Sequence, residues 1–140
     1  MNTNWKTGLS ALAVCLLLWG CQTLTATFDQ TALDLATALK ADAIALTSEA
    51  TEPYASHETD VATLNNQVDQ AYEYAKSRPK NDLTVKQYEL LRDPDKNLLG
   101  GFLKRWQTEG QLSEAFVTEA TNLIAEACDK IIGLEESLKR

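Results

Sequence analysis

From Phe116 to Leu138 the chain returns to an apolar residue every three or four positions: Phe116, Ala120, Leu123, Ala127, Ile131, Leu134 and Leu138. That interval matches the 3.6-residue turn of an α-helix and lines one face over roughly six turns. A face of this length is unstable in water and must be buried against others like it. Two more are present. Phe28, Ala32, Leu35, Ala36, Leu39, Ala43, Leu46 and Ala50 form one, and Val61, Leu64, Val68, Ala71, Tyr72 and Ala75 form the other. They predict long helices over about 28–51 and 57–77. Pro53 and the turn-forming run Ser77–Asp82, which contains Pro79, mark their limits.

The remaining segments read as shorter helices and connections. Thr27 is a candidate N-cap for the first helix. Thr84 with Gln87 three positions on has the capping-box spacing, and Asp93-Pro94 has the residue types of a cap and first helical position. Leu98, Leu99, Phe102, Leu103 and Trp106 form a dense apolar face, interrupted by Gly100-Gly101, a pair suited to a junction or a close crossing. Gly110 is placed to end that helix. Ser113 can cap the last one, with Leu112 and Val117 spaced as a hydrophobic staple. Ile124 widens the final stripe. The expected fold class is all-α, a small helical bundle with three long helices and one or two short connecting helices, built as a single domain from residues 28–140. Leu123 is expected in its core, so Leu123→Asp should be severely destabilising.

The N-terminal segment has a different character. Lys6 precedes the mainly apolar run Leu9–Gly20, and Leu18-Trp19-Gly20-Cys21 follows the order apolar, any, small, cysteine. The first 21 residues resemble a bacterial lipoprotein signal. The resemblance implies removal of residues 1–20, with Leu18 and Gly20 as recognition residues. It also implies acylation (diacylglycerol or palmitate) of Cys21, and residues 21–27 as a lipidated tether. It implies attachment to a bacterial membrane, facing the periplasm; Gln22, in place of an aspartate, favours the outer membrane. Read from hydropathy alone, the uncharged stretch from Thr7 to Phe28 leaves room for an uncleaved anchor, although the polar QTLTAT after Cys21 weakens it as a span.

Without residues 1–20 the chain holds twelve basic and twenty acidic side chains, a formal charge of −8. This is no footprint for nucleic acid. The charge is unevenly spread: residues 22–73 carry −8, residues 74–105 carry +4 and residues 107–140 carry −4. Either the basic middle packs between acidic helices, or it meets an acidic partner. Lys80, Lys86, Arg92, Lys96, Lys104 and Arg105 are the candidate contact residues. Trp106 reads first as a large core residue with Lys104 and Arg105 facing water; the alternative is that it joins the contact residues.

No enzyme signature, cofactor or metal motif emerges. His57, Glu58 and Asp60 form the sole histidine–acid cluster, and it reads as an exposed helix start because Glu58 does not share a helical face with His57. Glu135-Glu136, Asp93/Asp95 and Glu49/Glu52 are carboxylate pairs without an identifiable cleft. Cys128 reads as a small core residue. The expected function is that of a non-catalytic envelope lipoprotein, a structural or protein-interaction module with an envelope protein as partner. The alternative is a small-molecule carrier or sensor using a pocket between helices, lined by Tyr72, Tyr88 and Trp106.

Overall fold

A computed structural model describes residues 25–139; Leu18, Gly20 and Cys21, with all that was expected of the signal segment, lie outside the described residues. The first helix, α1 (Gln30–Ser48), is started by Asp29 and not by Thr27. The Asp29 carboxylate accepts the Ala32 N–H at 2.9 Å, and that bond is the main reason its pKa is lowered. A carboxylate is the stronger cap because it also meets the positive end of the helix dipole. Thr47 is buried on α1 without strain. Its hydroxyl donates to the Ala43 carbonyl at 2.7 Å and accepts from Thr121 at 3.1 Å.

A single 3-10 turn (Tyr54–Ser56) leads into α2 (Glu58–Ser77). Proline at position 79 holds Arg78 extended, at φ −90° and ψ 132°, and so stops α2. The next helix, α3 (Asp82–Arg92), begins two residues before the expected Thr84. Thr84 is buried within it, and buried Asn81 donates from its side chain to the Ala75 carbonyl at the end of α2. Asp93-Pro94 is likewise not a helix start. Asp93 closes α3, and its carboxylate accepts the Asp95 N–H across a turn.

Helix α4 (Leu99–Glu109) explains the glycine pair. A Cβ on Gly100 would strike the Arg92 carbonyl oxygen, and one on Gly101 the Lys96 carbonyl oxygen. The first turn of α4 therefore seats directly on the backbone that connects it to α3. Gly110 ends α4 at φ +80°. Ser113 caps α5 (Glu114–Ser137), accepting the Phe116 N–H, with Leu112 and Val117 both buried as a staple would require.

The architecture is an all-α bundle with three long helices of 19 to 24 residues and two of 11; no strand occurs among the described residues. Helices α1, α2, α3 and α5 pack in a closed ring, α1 against α5 most extensively. α4 rests on α1, α3 and the 3-10 turn. The N-terminal segment, the end of α2 and the end of α5 meet at one end, where Arg78 reaches both Thr27 and Glu135. The end of α1, the 3-10 turn and the end of α4 meet at the other. There the Leu112 N–H donates to Ala50 and the Tyr54 N–H to Gly110.

The core corrects one stripe. On α5 the buried line is Val117, Ala120, Ile124, Cys128, Ile131 and Glu135. Leu123, expected inside, is 44% exposed. The two lines share Ala120 and Ile131 and differ by one position elsewhere. The apolar residues on both sides of the line admit either register, and the acidic Glu135 masks the true one.

Candidate functional site

Trp106 organises the end of the bundle remote from the N-terminal segment. It has no solvent exposure, and its indole N–H donates to the Glu52 carbonyl at 3.0 Å. Tyr54 meets the ring edge-on at 5.6 Å, and His57 lies tilted against it at 5.3 Å. Trp106 is therefore the core residue its leading reading made it, and the alternative of a partner contact is corrected: the indole is spent inside the protein, holding the α1–α2 connection. Its neighbours Lys104 and Arg105 face water, as the core reading requires.

That connection gathers a mixed donor set. His57 Nε2 is 3.1 Å from Glu52 Oε2, and Nδ1 is 3.7 Å from Asp60 Oδ2. One donor atom each from Glu49, Glu52 and His57 lie within 4.8 Å of one another. A cleft of about 510 Å³ adjoins them, lined in part by Asp42, Glu49, His57 and Asp60. Glu58, the neighbour singled out from the sequence, is not among the cleft-lining residues or the clustered donors. The missing partners are Glu49 at the close of α1 and Glu52 in the turn. The sequence marked Glu49 and Glu52 as a carboxylate pair, and Pro53 as the break after α1, but nothing in it joined the pair to His57.

The basic middle segment is largely neutralised by its own protein. Arg92 pairs with Asp69 at 2.7 Å and stacks on the Tyr72 ring at 4.4 Å. Lys104 pairs with Asp95 at 2.8 Å, a contact that lowers the Asp95 pKa and raises that of Lys104. Arg105 pairs with Glu109 at 2.7 Å. Lys86 and Lys96 form no salt bridge among the described residues. Lys80 sits in the α2–α3 turn at φ +60°, far along the chain from Lys104 and Arg105 on α4. The six cations thus run along the bundle and do not form one focus.

Beside Arg105 lies a cleft of about 330 Å³ between α4 and α5, with Asn97 and Glu119 as its other polar lining residues. Leu98, Phe102, Phe116, Ala120 and Leu123 line it. Phe102 and Phe116 stack almost parallel at 5.9 Å, and the Arg105 guanidinium lies 4.1 Å over the Phe116 ring. Among the described residues Leu123 is one of three exposed large apolar side chains, with Leu83 and Leu90.

The other end holds an ion pair that the sequence did not disclose. Arg78 donates to Glu135 Oε1 at 2.7 Å and to the Thr27 carbonyl at 2.8 Å. The two side chains are only 9% and 1% exposed, and Glu135 Oε2 has no hydrogen-bond partner. Nearby, burial raises the pKa of the Tyr88 phenol, and the Glu135 charge raises it further. Burial likewise pushes the Cys128 thiol up to about 11, which suits a core residue and not a nucleophile. Tyr72, Tyr88 and Trp106 do not meet around a shared space. Tyr72 lies between Lys76 and Arg92, Tyr88 is buried near Glu135, and Trp106 packs on Tyr54 and His57.

Among the described residues no helix is long and apolar enough to cross a membrane. No family model matches the chain, and no curated protein or solved structure shows significant similarity to it.

Proposed function

We propose that the chain is a lipid-anchored module of a bacterial envelope that works by holding another protein, with the α4–α5 cleft as its contact. One observation carries the contact: Phe116, stacked on buried Phe102 and capped by Arg105, lines a concave surface beside exposed Leu123, with Asn97 and Glu119 as polar lining. Aromatic and arginine side chains within a polar rim are the usual anchors of protein interfaces. The fitting partner offers one large apolar side chain for the cleft. Of the cations expected to meet a partner, Arg105 belongs to this surface. The anchoring half of the reading is supported by the order of Leu18, Gly20 and Cys21. More than one acyl chain is needed for firm attachment.

A photo-crosslinking residue at position 123 tests the contact in membranes, with one at exposed position 126 as control. A single protein adduct from position 123 alone supports the reading, provided that Arg105→Glu in the same protein abolishes it with unchanged thermal unfolding. Equal adducts from both positions, or none, reject it. Intact mass of the membrane-extracted protein tests the anchor. Loss of residues 1–20 with lipid mass on Cys21 is the expected result, and an unprocessed chain refutes it. Recovery of a bound metabolite in place of a protein adduct turns the reading toward a carrier.

A further inference from the structure

At the end of the bundle remote from the N-terminal segment, one imidazole faces carboxylates on both sides. His57 Nε2 lies 3.1 Å from Glu52 Oε2, and Nδ1 lies 3.7 Å from Asp60 Oδ2. A neutral imidazole has one N–H and one lone pair, whereas ionised carboxylates only accept. A neutral ring can therefore donate to one of the two carboxylates only, and the other approach calls for a second proton or a metal cation on the imidazole. The ring is not free to turn away. It packs on buried Trp106, its backbone N–H donates to Tyr54, and its carbonyl accepts from Val61.

We propose that Glu49, Glu52 and His57 form a binding site for a divalent first-row transition cation, a property beyond the contact role above. The Glu52–His57 separation is already close to the ligand–ligand edge of about 3.3 Å around a tetrahedral ion with bonds of about 2.0–2.1 Å. The third donor lies within 4.8 Å, and it belongs to exposed Glu49, whose side chain can rotate inward. Asp60, 3.7 Å from Nδ1 and two-thirds exposed, lies on the side where metal-bound histidines place a second carboxylate and needs a small side-chain rotation to reach the ring N–H. The nitrogen ligand favours zinc-like ions over calcium or magnesium, which take oxygen donors. The adjoining cleft leaves the fourth coordination position to water. Bound there, the ion ties the end of α1 to the start of α2.

The chain has a single histidine, so its ring nitrogens can be followed by NMR without ambiguity. Zinc chloride titrated into the full chain in detergent micelles should move Nε2 to a metal-bound shift and leave Nδ1 protonated. His57→Gln and Glu52→Gln should each weaken zinc uptake at least tenfold by calorimetry. Glu58→Gln, one residue away but outside the ligand set, should leave it unchanged. Imidazole nitrogens that stay put at saturating zinc overturn the proposal, as does His57→Gln binding zinc like the wild type. Uptake through the thiols of Cys15, Cys21 or Cys128 would show in that way and counts against it equally.

Discussion

Replacing Arg78 by methionine removes a cation and keeps most of its apolar stem, leaving Glu135 buried with neither oxygen paired to a positive group. Glu135 is 1% exposed, and its Oε2 already lacks a partner, so the loss of the 2.7 Å bond to Oε1 strips the carboxylate of its only guanidinium contact. Breaking one side of a buried pair costs about 3–5 kcal/mol. Loss of the bond from Arg78 to the Thr27 carbonyl adds about 1 kcal/mol. With a urea m-value of about 2 kcal/mol/M, a loss of about 4 kcal/mol lowers the unfolding midpoint by about 2 M. Glu135→Met should cost less, about 1–2 kcal/mol, because Arg78 keeps the Thr27 carbonyl and is near enough to water to snorkel. The double variant Arg78→Met/Glu135→Met should return to within about 1 kcal/mol of the wild type, since two apolar side chains satisfy each other there. Urea titrations followed by far-UV circular dichroism on the four proteins close the cycle. If Arg78→Met alone lies within about 1 kcal/mol of the wild type, or the double variant is the least stable of the four, the buried pair does not hold this end of the bundle together.

Two further outcomes test the packing. Leu123→Asp should change stability by no more than about 0.5 kcal/mol because Leu123 is exposed, whereas Ile124→Ala, one residue on and fully buried, should cost about 2–5 kcal/mol; thermal denaturation of the pair decides the register of α5. Gly133→Ala places a methyl group in open space on an α5 helix position and should stabilise by about 0.5–1 kcal/mol, while Gly101→Ala meets the Lys96 carbonyl and should destabilise by about 1–3 kcal/mol, read by the same denaturation.

The second helix was legible almost residue by residue. Val61, Leu64, Val68, Ala71 and Ala75 are all buried as its spacing requires, because polar residues on the remaining faces leave one register only. The last helix was legible as a helix but not in its register. Phe116, Leu123 and Leu134 compete with Val117, Ile124 and Cys128 for the inward line, and periodicity alone is blind to a one-position rotation of so broad an apolar arc. Helix starts failed for two reasons: Asp29, the stronger cap, displaced Thr27, and α3 began at Asp82 without a side-chain cap, because Asn81 donates to the Ala75 carbonyl, ahead of the Thr84–Gln87 pair.

The chemistry was hidden for a different reason. Arg78 between Ser77 and Pro79 has the composition of a solvated turn, and Glu135 beside Glu136 that of a wet helix end. Only the antiparallel return of α5 brings them together across 57 positions. Glu49 and Glu52 meet His57 through a reversal of direction, not through any helical spacing, so a motif keyed to i, i+3 and i+4 selects Asp60 and misses both. Local pattern reveals which residues need burial; it does not reveal which charge will be buried with them.

The two ends of the bundle differ in what they hold, and the difference bears on how an anchored protein would work. At one end the entering chain is fixed to the helices: Arg78 binds the Thr27 carbonyl, Asp29 caps α1 while accepting from Tyr74, and Lys139 covers the Phe28 ring. A lipid on Cys21 would be joined to that fixed point by six residues, a reach of at most about 20 Å. The bundle could then not stray far from the lipid surface. Helix α1 carries the structure about 28 Å onward at 1.5 Å per residue. With such an anchor the imidazole–carboxylate cluster would lie at the end of the bundle opposite the tether, and the α4–α5 cleft on its flank. Arg78 is then more than a stabilising residue: it holds Thr27 and so fixes the end of the bundle from which the chain leads back toward Cys21.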